Sequence, residues 1–561
     1  MTIQAQVRPR GGGTDELPFG SELQRAADKA PNLLFLHPKT LVDSWPVPVD
    51  TLGEMIKAPS AVYPILAATI SHLPIAWEIF DGYVTRETLA DYKRRLARAD
   101  IIAISVMSPL KSMDTELTIR LARRLNPDVC IILGGNHATA WAESWLDRGA
   151  DFVVVGEGEK AFQRLMETLL AGSDDYDAVP NLVYRDGSGT KRKTSRAPLV
   201  DLDSAPLPDW SSFNFRPYGL GLTSGFAAAI EVSRGCPHRC DFCNINTYWE
   251  FKQRYKSIDR VIEEIVQLHK LGVREFIFTD DNFGGDHRFT VRLLEAMVRL
   301  DLGMRFGSFL RGDTVHRNPG FAELAAKAGM RFCLMGIETL DTAWLKQHRK
   351  GVRANDVLAM YSNVYKTLNK NGIYLVGLFI SPPAPSRTPY SGMDAEGVVC
   401  DYHVSANLTA LRGSQLFDKL NETQSVAKDM FYHDWNLPSI VLPAGEIQTN
   451  QKTFADLMRE NISLFAMRSY VSPSSFRRRF RWRPIGVIAE RLACTTTDDL
   501  RRFAIAMDKS LPVNERQQRI VDSVLSEEAI DKVMRKRWWK SPLGLRNGLW
   551  SDAPSRQDVD S

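Results

Sequence analysis

Long hydrophobic runs are missing from this sequence of 561 residues. The best stretch, Tyr218–Ile230, is short and glycine-rich, well below the roughly 20 apolar residues that cross a bilayer. An excess of charge of one sign is missing too. Lys and Arg number 71 against 67 Asp and Glu, a formal net charge of +4, which argues against a general polyanion binder and against nucleic acid as a partner. Cysteine is scarce: there are seven, an odd number, with three of them inside eight residues. A secreted disulfide framework would be denser, so a cytoplasmic chain with one cysteine cluster and four scattered thiols is expected. The first residues hold no apolar core, so no secretory signal is expected there, and residues 1–30 read as a flexible tail. No repeat of solenoid type is found.

What is present is ordinary globular material. Apolar residues make up 44% and charged residues 25%, which excludes a mainly disordered, collagen-like or coiled-coil chain. At roughly 150 residues each, about three domains are expected. Short apolar runs at Asn32–Leu36, Ile75–Phe80, Ile101–Val106, Val129–Leu133 and Phe152–Val155 alternate with helical patterns, such as Leu117, Leu121 and Leu125 at four-residue spacing. This predicts an α/β fold with a doubly wound parallel sheet over residues 31–172, whose ligands bind at the carboxyl ends of the strands. Residues 173–225, rich in Asp, Pro, Ser and Gly, read as a linker with one small hairpin near Asp186-Gly187. A second series over 226–415 begins with strand Phe226–Val232 and helix Ile258–Leu271, the helix bounded by Ser257 and Gly272. Strands Glu275–Thr279, Arg305–Leu310, Arg331–Ile337, Ile373–Ser381 and His403–Leu411 follow, which predicts a full or partial β/α barrel. Residues 416–561 read as a mostly helical C-terminal cap.

The strongest chemical signal is Arg234-Gly-Cys-Pro-His-Arg-Cys-Asp-Phe-Cys243, with cysteines at 236, 240 and 243 just after the first strand of the second series. Thiolates are soft ligands for iron–sulfur clusters or zinc. Three of them hold three irons of a cubane and leave the fourth open. A structural zinc would need a fourth protein ligand, for which His238 is the local candidate.

Cys-x3-Cys-x-aromatic-Cys at this place resembles the radical S-adenosylmethionine (SAM) superfamily. The resemblance implies that Cys236, Cys240 and Cys243 ligate a [4Fe-4S] cluster whose open iron binds SAM. It implies that Phe242 packs near the adenine. Asp280, Asp281 and Asn282, at the second strand end, would meet the methionine amino group. Ser308 and Arg311, at the third, would meet its carboxylate, and Glu338, at the fourth, the ribose hydroxyls. An electron donor such as flavodoxin or ferredoxin is implied as a partner.

The first sheet resembles the cobalamin-binding domain that precedes the barrel in one class of these enzymes. Small residues at its strand ends let a bulky ligand approach the backbone closely. The resemblance implies cobalamin contacts from Ser105, Ser108, Gly134, Gly135, His137, Gly156, Glu157 and Gly158. The Asp-x-His-x-x-Gly motif that supplies a cobalt ligand is absent, since the chain reads His37-Pro-Lys-Thr-Leu-Val-Asp-Ser44. No cobalt-ligating histidine from that motif is therefore predicted.

The class implied is that of the cobalamin-dependent radical methyltransferases and the anaerobic magnesium-protoporphyrin monomethyl ester cyclase. Methyl transfer to an unactivated carbon of a small-molecule, natural-product or pigment substrate is the leading expectation. Oxidative cyclisation or hydroxylation without methyl transfer is the alternative, and a noncatalytic zinc- or cobalamin-binding regulator is the second. Near the C-terminus, Phe476, Phe480 and Trp482 interleave with Arg477, Arg478, Arg479, Arg481 and Arg483, and Trp538-Trp539 is flanked by cations. Three readings stand: a helix packed on the barrel, a peripheral membrane contact for a lipid-like substrate, or a site for an anionic ligand or partner.

Overall fold

The computed structural model describes residues 30–38, 58–82, 84, 88–211, 213–220, 222–223, 225–352, 356–381, 399–423 and 513–535. The N-terminal unit runs β1 (Asn32–His37), α1 (Val62–Thr69), β2 (Ala76–Asp81), α2 (Leu89–Arg98), β3 (Ile101–Ser105), α3 (Ser112–Leu125), β4 (Cys130–Gly134), α4 (Asn136–Ala140), α5 (Ala142–Asp147), β5 (Phe152–Val154), α6 (Glu159–Leu170), β6 (Leu182–Arg185) and β7 (Lys191–Lys193). Its sheet has the order β2-β1-β3-β4-β5-β6-β7. The run Ile101-Ile-Ala-Ile104 shows why these strands are continuous in apolarity. Ile102 and Ile104 enter the core on one face, and Ile101 and Ala103 the core on the other.

The parallel sheet expected over residues 31–172 is present and gains an antiparallel edge beyond that range. β1 to β5 pair in parallel, but β6 and β7 are antiparallel additions. The hairpin near Asp186 causes this. The Asp186 carboxylate accepts the amides of Ser188 and Thr190, both at 3.0 Å, and so nucleates a tight turn that reverses the chain. Part of the segment read as linker is thus the edge of the first sheet.

The second unit runs β8 (Phe226–Ile230), β9 (Ser233–Arg234), α7 (Ile245–Tyr248), β10 (Arg254–Tyr255), α8 (Ile258–Lys270), β11 (Val273–Phe278), α9 (His287–Leu300), β12 (Arg305–Leu310), α10 (Gly312–Arg317), α11 (Phe321–Lys327), β13 (Met330–Glu338), α12 (Thr342–Gln347), α13 (Val357–Lys370), β14 (Tyr374–Ser381), β15 (Tyr402–Asn407) and α14 (Gln415–Glu422). Six strands pair in parallel in the order β15-β14-β13-β12-β11-β8, an open, partial barrel. α8 begins where the sequence placed it, with the Ser257 hydroxyl accepting the Arg260 amide at 3.3 Å, and Gly272 follows it at φ +87°. One buried carboxylate fixes the chain as it enters β8. Glu275 is fully buried and accepts the amides of Leu220, at 2.6 Å, and Thr223.

Two C-terminal helices, α15 (Val513–Leu525) and α16 (Glu527–Arg535), pack against α3 of the first unit rather than on the barrel. Val521, Val524, Leu525 and Ile530 join the core that holds Leu117 and Leu121. Arg124 ion-pairs with Asp531 at 2.5 Å and with Glu527, and Arg120 donates to the Leu525 carbonyl at 3.0 Å. The arginine-rich segment Phe476–Arg483 and Trp538-Trp539 lie outside the described residues. Among the described residues no helix is long and apolar enough to cross a membrane.

Ile530, fully buried in that contact, is the sensitive position. Ile530→Ala is expected to weaken the docking by about 2–5 kcal/mol. Hydrogen exchange over Val513–Arg535 would read this as faster exchange confined to the two helices, and unchanged exchange there would refute the docked position.

Candidate functional site

The cysteine loop is set by local backbone chemistry. β9 and β10 form a short antiparallel ribbon, Ser233 opposite Tyr255 and Arg234 opposite Arg254. Gly235 follows at φ +93°, and a Cβ there would collide with the Lys252 carbonyl oxygen, so only glycine lets the chain turn into the cysteines. Cys236, Cys240 and Cys243 are free thiols beyond it. The loop is then stapled from several sides. Gly235 donates its amide to Asp281 at 3.1 Å, and Leu416 donates to the Asp241 carbonyl at 2.8 Å. The Asp241 carboxylate meets Nδ1 of buried His348 at 2.9 Å. Phe242 lies 5.8 Å from Trp344, whose own ring stacks on His348 at 4.1 Å. Among the described residues no three His, Cys, Asp or Glu side chains converge as a ligand group for one metal ion.

The carboxyl ends of the barrel strands surround this loop. Beyond β11, Asp280 is buried, and it accepts the Val232 amide at 3.2 Å, the Ser233 hydroxyl at 2.5 Å and the Ser233 amide. These contacts tie Asp280 to the start of the cysteine loop. Burial pushes its carboxyl up to about 7. Its neighbour Asp281 keeps an open side, and desolvation pushes it up to about 6. The Asn282 side-chain oxygen and the Ser308 hydroxyl are buried with no hydrogen-bond partner among the described residues. Arg311 donates to the Lys350 carbonyl at 2.6 Å and to Asp313 at 3.1 Å. Glu338, at φ +64°, accepts from Lys350 at 2.5 Å, and both are buried. Lys350 went unremarked in the sequence because it lies 12 residues away in an unrelated loop.

The first sheet presents its strand ends to the same region. The Ser105 hydroxyl at the end of β3 is buried with no hydrogen-bond partner among the described residues, while its amide donates to the Tyr63 hydroxyl at 3.0 Å. Gly135 takes φ +93° with Val106 and Met107 so close that a Cβ would meet the Val106 oxygen at 2.8 Å. Gly134 has room by comparison. Ser108 is half-buried, its carbonyl accepting the Lys111 amide at 3.2 Å. His137 and Glu157 are both buried. His137 is 5% exposed, and its Nδ1 accepts the Trp145 indole at 3.2 Å, so the ring is turned into the domain. Gly156 accepts from the Tyr248 hydroxyl at 3.0 Å, and Gly158 starts α6. These residues serve the junction between the two units.

Glu157 belongs to a buried ionic cluster. Arg234 is 7% exposed, and its guanidinium meets Glu157 at 2.7 Å, Glu159 at 2.5 Å and Glu231 at 2.9 Å. Arg254 meets Glu157 at 2.8 Å, and the Val200 amide donates to Glu157 at 2.5 Å. Trp249 is flanked by Arg234 at 5.7 Å and Arg254 at 5.8 Å from its ring. Burial would raise the Glu159 carboxyl, but Arg234 overcomes it and holds Glu159 below its ordinary range. Further contacts join the units: Asn136, just after Gly134-Gly135, hydrogen-bonds Asn244, just after Cys243, at 3.4 Å, and Arg412 covers Trp141 at 4.3 Å.

Residues 230–380 match the radical SAM superfamily, and residues 63–166 match the B12 binding domain. The chain thus carries a B12-binding domain followed by a radical SAM domain. Its domains imply a [4Fe-4S] cluster, SAM and cobalamin. A radical SAM enzyme acts on a substrate and draws on a reductant. The chain is 31% identical over 273 residues to the hopanoid C-3 methylase of Methylococcus capsulatus, covering 47% of this chain and 51% of that one. It is 27% identical over 315 residues to the anaerobic magnesium-protoporphyrin IX monomethyl ester cyclase of Rubrivivax gelatinosus, covering 54% and 55%. An uncharacterized methyltransferase of Pyrococcus horikoshii is 25% identical over 308 residues, covering 54% and 65%. The chain thus spans about half to two thirds of the length of these curated relatives. The fold is shared with the radical SAM methyltransferase TsrM of Kitasatospora setae, at a TM-score of 0.59 and 15% identity over 82% of this chain and 100% of that one. It is also shared with the cobalamin-dependent SAM radical enzyme OxsB, at 0.57 and 15% over 92% and 81%.

The residues present fit these groups. Free thiols with soft-ligand chemistry stand at the end of β8, orphaned Asn282 and Ser308 atoms lie at adjacent strand ends, and the Ser105 hydroxyl waits beside a glycine turn.

The ionic cluster is expected to be intolerant of neutralisation on one side. Arg234→Met leaves Glu159 buried without its ion-pair partner and Glu157 with Arg254 alone, a loss of about 3–5 kcal/mol in urea unfolding. A loss below about 1 kcal/mol would mean that water reaches these carboxylates in solution. Asp280 gives a prediction in pH. Its folded pKa lies above the ordinary 3.8, so its contribution to stability is full below that value and is lost as the pH rises through about 7. Asp280→Asn is expected to flatten the fall in unfolding midpoint between about pH 5 and 7.5. A slope equal to that of the unsubstituted protein would assign the effect elsewhere.

Proposed function

We propose that the chain is a cobalamin-dependent radical SAM methyltransferase that alkylates an unactivated carbon of a small molecule. The observation that carries this reading is the meeting of the two sets of strand ends. The turn after β4 touches the residue after Cys243, and the turn after β5 is locked to the residue before Gly235. Methyl transfer to an unactivated carbon needs a radical source and a methyl carrier to share one cavity, and face-to-face strand ends are how two α/β units share one. Bound together, these groups supply a 5′-deoxyadenosyl radical and a transferable methyl.

The chain's own residues then have distinct tasks. Cys236, Cys240 and Cys243 hold the cluster, and Asp280, Asp241 and Gly235 fix the loop that carries them. Asp281, the orphaned Asn282 and Ser308 atoms, and Arg311 line the SAM side. The Glu338–Lys350 pair neutralises its own charge there and leaves the second Glu338 oxygen to accept a hydroxyl. Phe242 closes the apolar side with Trp344. Ser105, Ser108, Gly134 and Gly135 line the cobalamin side. Burial of both faces keeps water from a reactive carbon radical.

The resemblance to the cyclase of Rubrivivax gelatinosus, over 54% of this chain, keeps oxidative cyclisation as the second reading. One experiment separates the two. The anaerobically reconstituted enzyme is incubated with trideuteromethyl-labelled SAM, a small-molecule extract and oxygen-18 water. S-Adenosylhomocysteine, 5′-deoxyadenosine and a product carrying the trideuteromethyl group are expected. 5′-Deoxyadenosine with oxygen-18 in the product and no label transfer would replace the proposal by the second reading.

A further inference from the structure

Residues 348–351, just after α12, touch three parts of the candidate site at once. His348 holds the cysteine loop. Its carbonyl accepts the Asp241 amide at 3.3 Å, and its Nδ1 meets the Asp241 carboxylate at 2.9 Å. The Lys350 carbonyl accepts from Arg311, just beyond β12, at 2.6 Å. The Lys350 ammonium donates to Glu338, at the end of β13, at 2.5 Å. Gly351 then carries the chain away at φ +72°, beside the His238 ring and the Arg311 guanidinium.

Lys350 is 6% exposed, and a buried ammonium is costly unless a partner compensates it. The partner sits in a strained place. Glu338 takes φ +64°, a value that a non-glycine residue adopts rarely and at a cost. The pair lies over Gly336, where a Cβ would collide with the Glu338 carboxylate and crowd the Lys350 nitrogen. One Glu338 oxygen is taken by Lys350, and the other has no hydrogen-bond partner among the described residues. The charges nearby are otherwise engaged. Arg311 is bound by the Lys350 carbonyl and by Asp313 at 3.1 Å, Arg317 stands 3.8 Å from Asp313, and Asp241 is met by His348. Among the described residues no second cation pairs with Glu338.

We propose that Lys350 is a positioning residue for SAM: its side chain aims the Glu338 carboxylate at the ribose hydroxyls, and its main-chain carbonyl aims the Arg311 guanidinium at the methionine carboxylate. This rests on the radical SAM reading. The two grips stand on different strands, and one residue sets both, so their separation is fixed by a single lysine. His348, two residues earlier, registers the same piece of backbone on the cysteine loop. A carboxylate already held by an ammonium gives up little rotamer freedom when a ligand arrives.

The test measures binding rather than turnover. SAM and an analogue whose ribose lacks both hydroxyls are titrated anaerobically against the reconstituted full-length holoenzyme. The unsubstituted enzyme is expected to prefer SAM about tenfold, the effect of one hydrogen bond to a charged group. Lys350→Met removes the ammonium and leaves the carbonyl on Arg311. It is expected to weaken SAM about tenfold, to change the analogue by less than about twofold, and so to erase the preference. Lys350→Arg keeps a cation opposite Glu338 and is expected to retain a preference. Glu338→Gln tests the same arm where Lys350→Met does not fold, and is expected to erase the preference too. Equal losses of both ligands in Lys350→Met, or an undiminished preference in it or in Glu338→Gln, would overturn the proposal. Absence of SAM binding by the unsubstituted holoenzyme would overturn it together with the radical SAM reading.

Discussion

One buried guanidinium holds the architecture together. Arg234 sits between the first strand of the barrel and its cysteine loop, and two of its three carboxylate partners come from the turn after β5 in the other unit. A charge so buried is stable only when its partners are exact in place, and removing any of them exposes the rest to a large desolvation penalty. The pairing therefore specifies geometry more than it adds stability. It fixes the orientation of one sheet against the other and, through Gly235, the first residue of the cysteine loop. Arg254 and Trp249 brace the same point from the second strand of the β9–β10 ribbon.

The cysteine loop itself shows how a flexible motif is made rigid before any ligand binds. Its start is held by Asp280, its middle by His348 through Asp241, and its aromatic by Trp344. Asp280 follows β11, while Trp344 and His348 both come from α12 and its end, after β13. A loop so braced loses little entropy on taking up a cluster, which is what preorganisation requires.

Much of this was legible in the sequence, for physical reasons. Buried parallel strands need apolar residues on both faces, so Ile101–Ile104 and Val129–Leu133 announced themselves. The cysteine spacing and the Ser257 cap are local patterns in which the residues that interact are close in the chain. What escaped notice is non-local. Arg234 and Glu157 are 77 residues apart, and no periodicity links them. Gly156-Glu-Gly-Glu159 was legible as a functional strand end, but its small residues suggested a ligand and its acids in fact grip the neighbouring unit. No local pattern around His137 announces Trp145, whose indole its Nδ1 accepts. The antiparallel edge hairpin was visible as a turn, yet nothing in a turn says which sheet it will join.

The position of α15 and α16 bears on how the first unit is completed. These helices come after the barrel in sequence yet complete the core of the unit before it, so α3 keeps part of its apolar face uncovered until Val521, Val524, Leu525 and Ile530 are in place. The first unit is thus closed from both ends of the described chain, and its core is finished by the described segment that is made last.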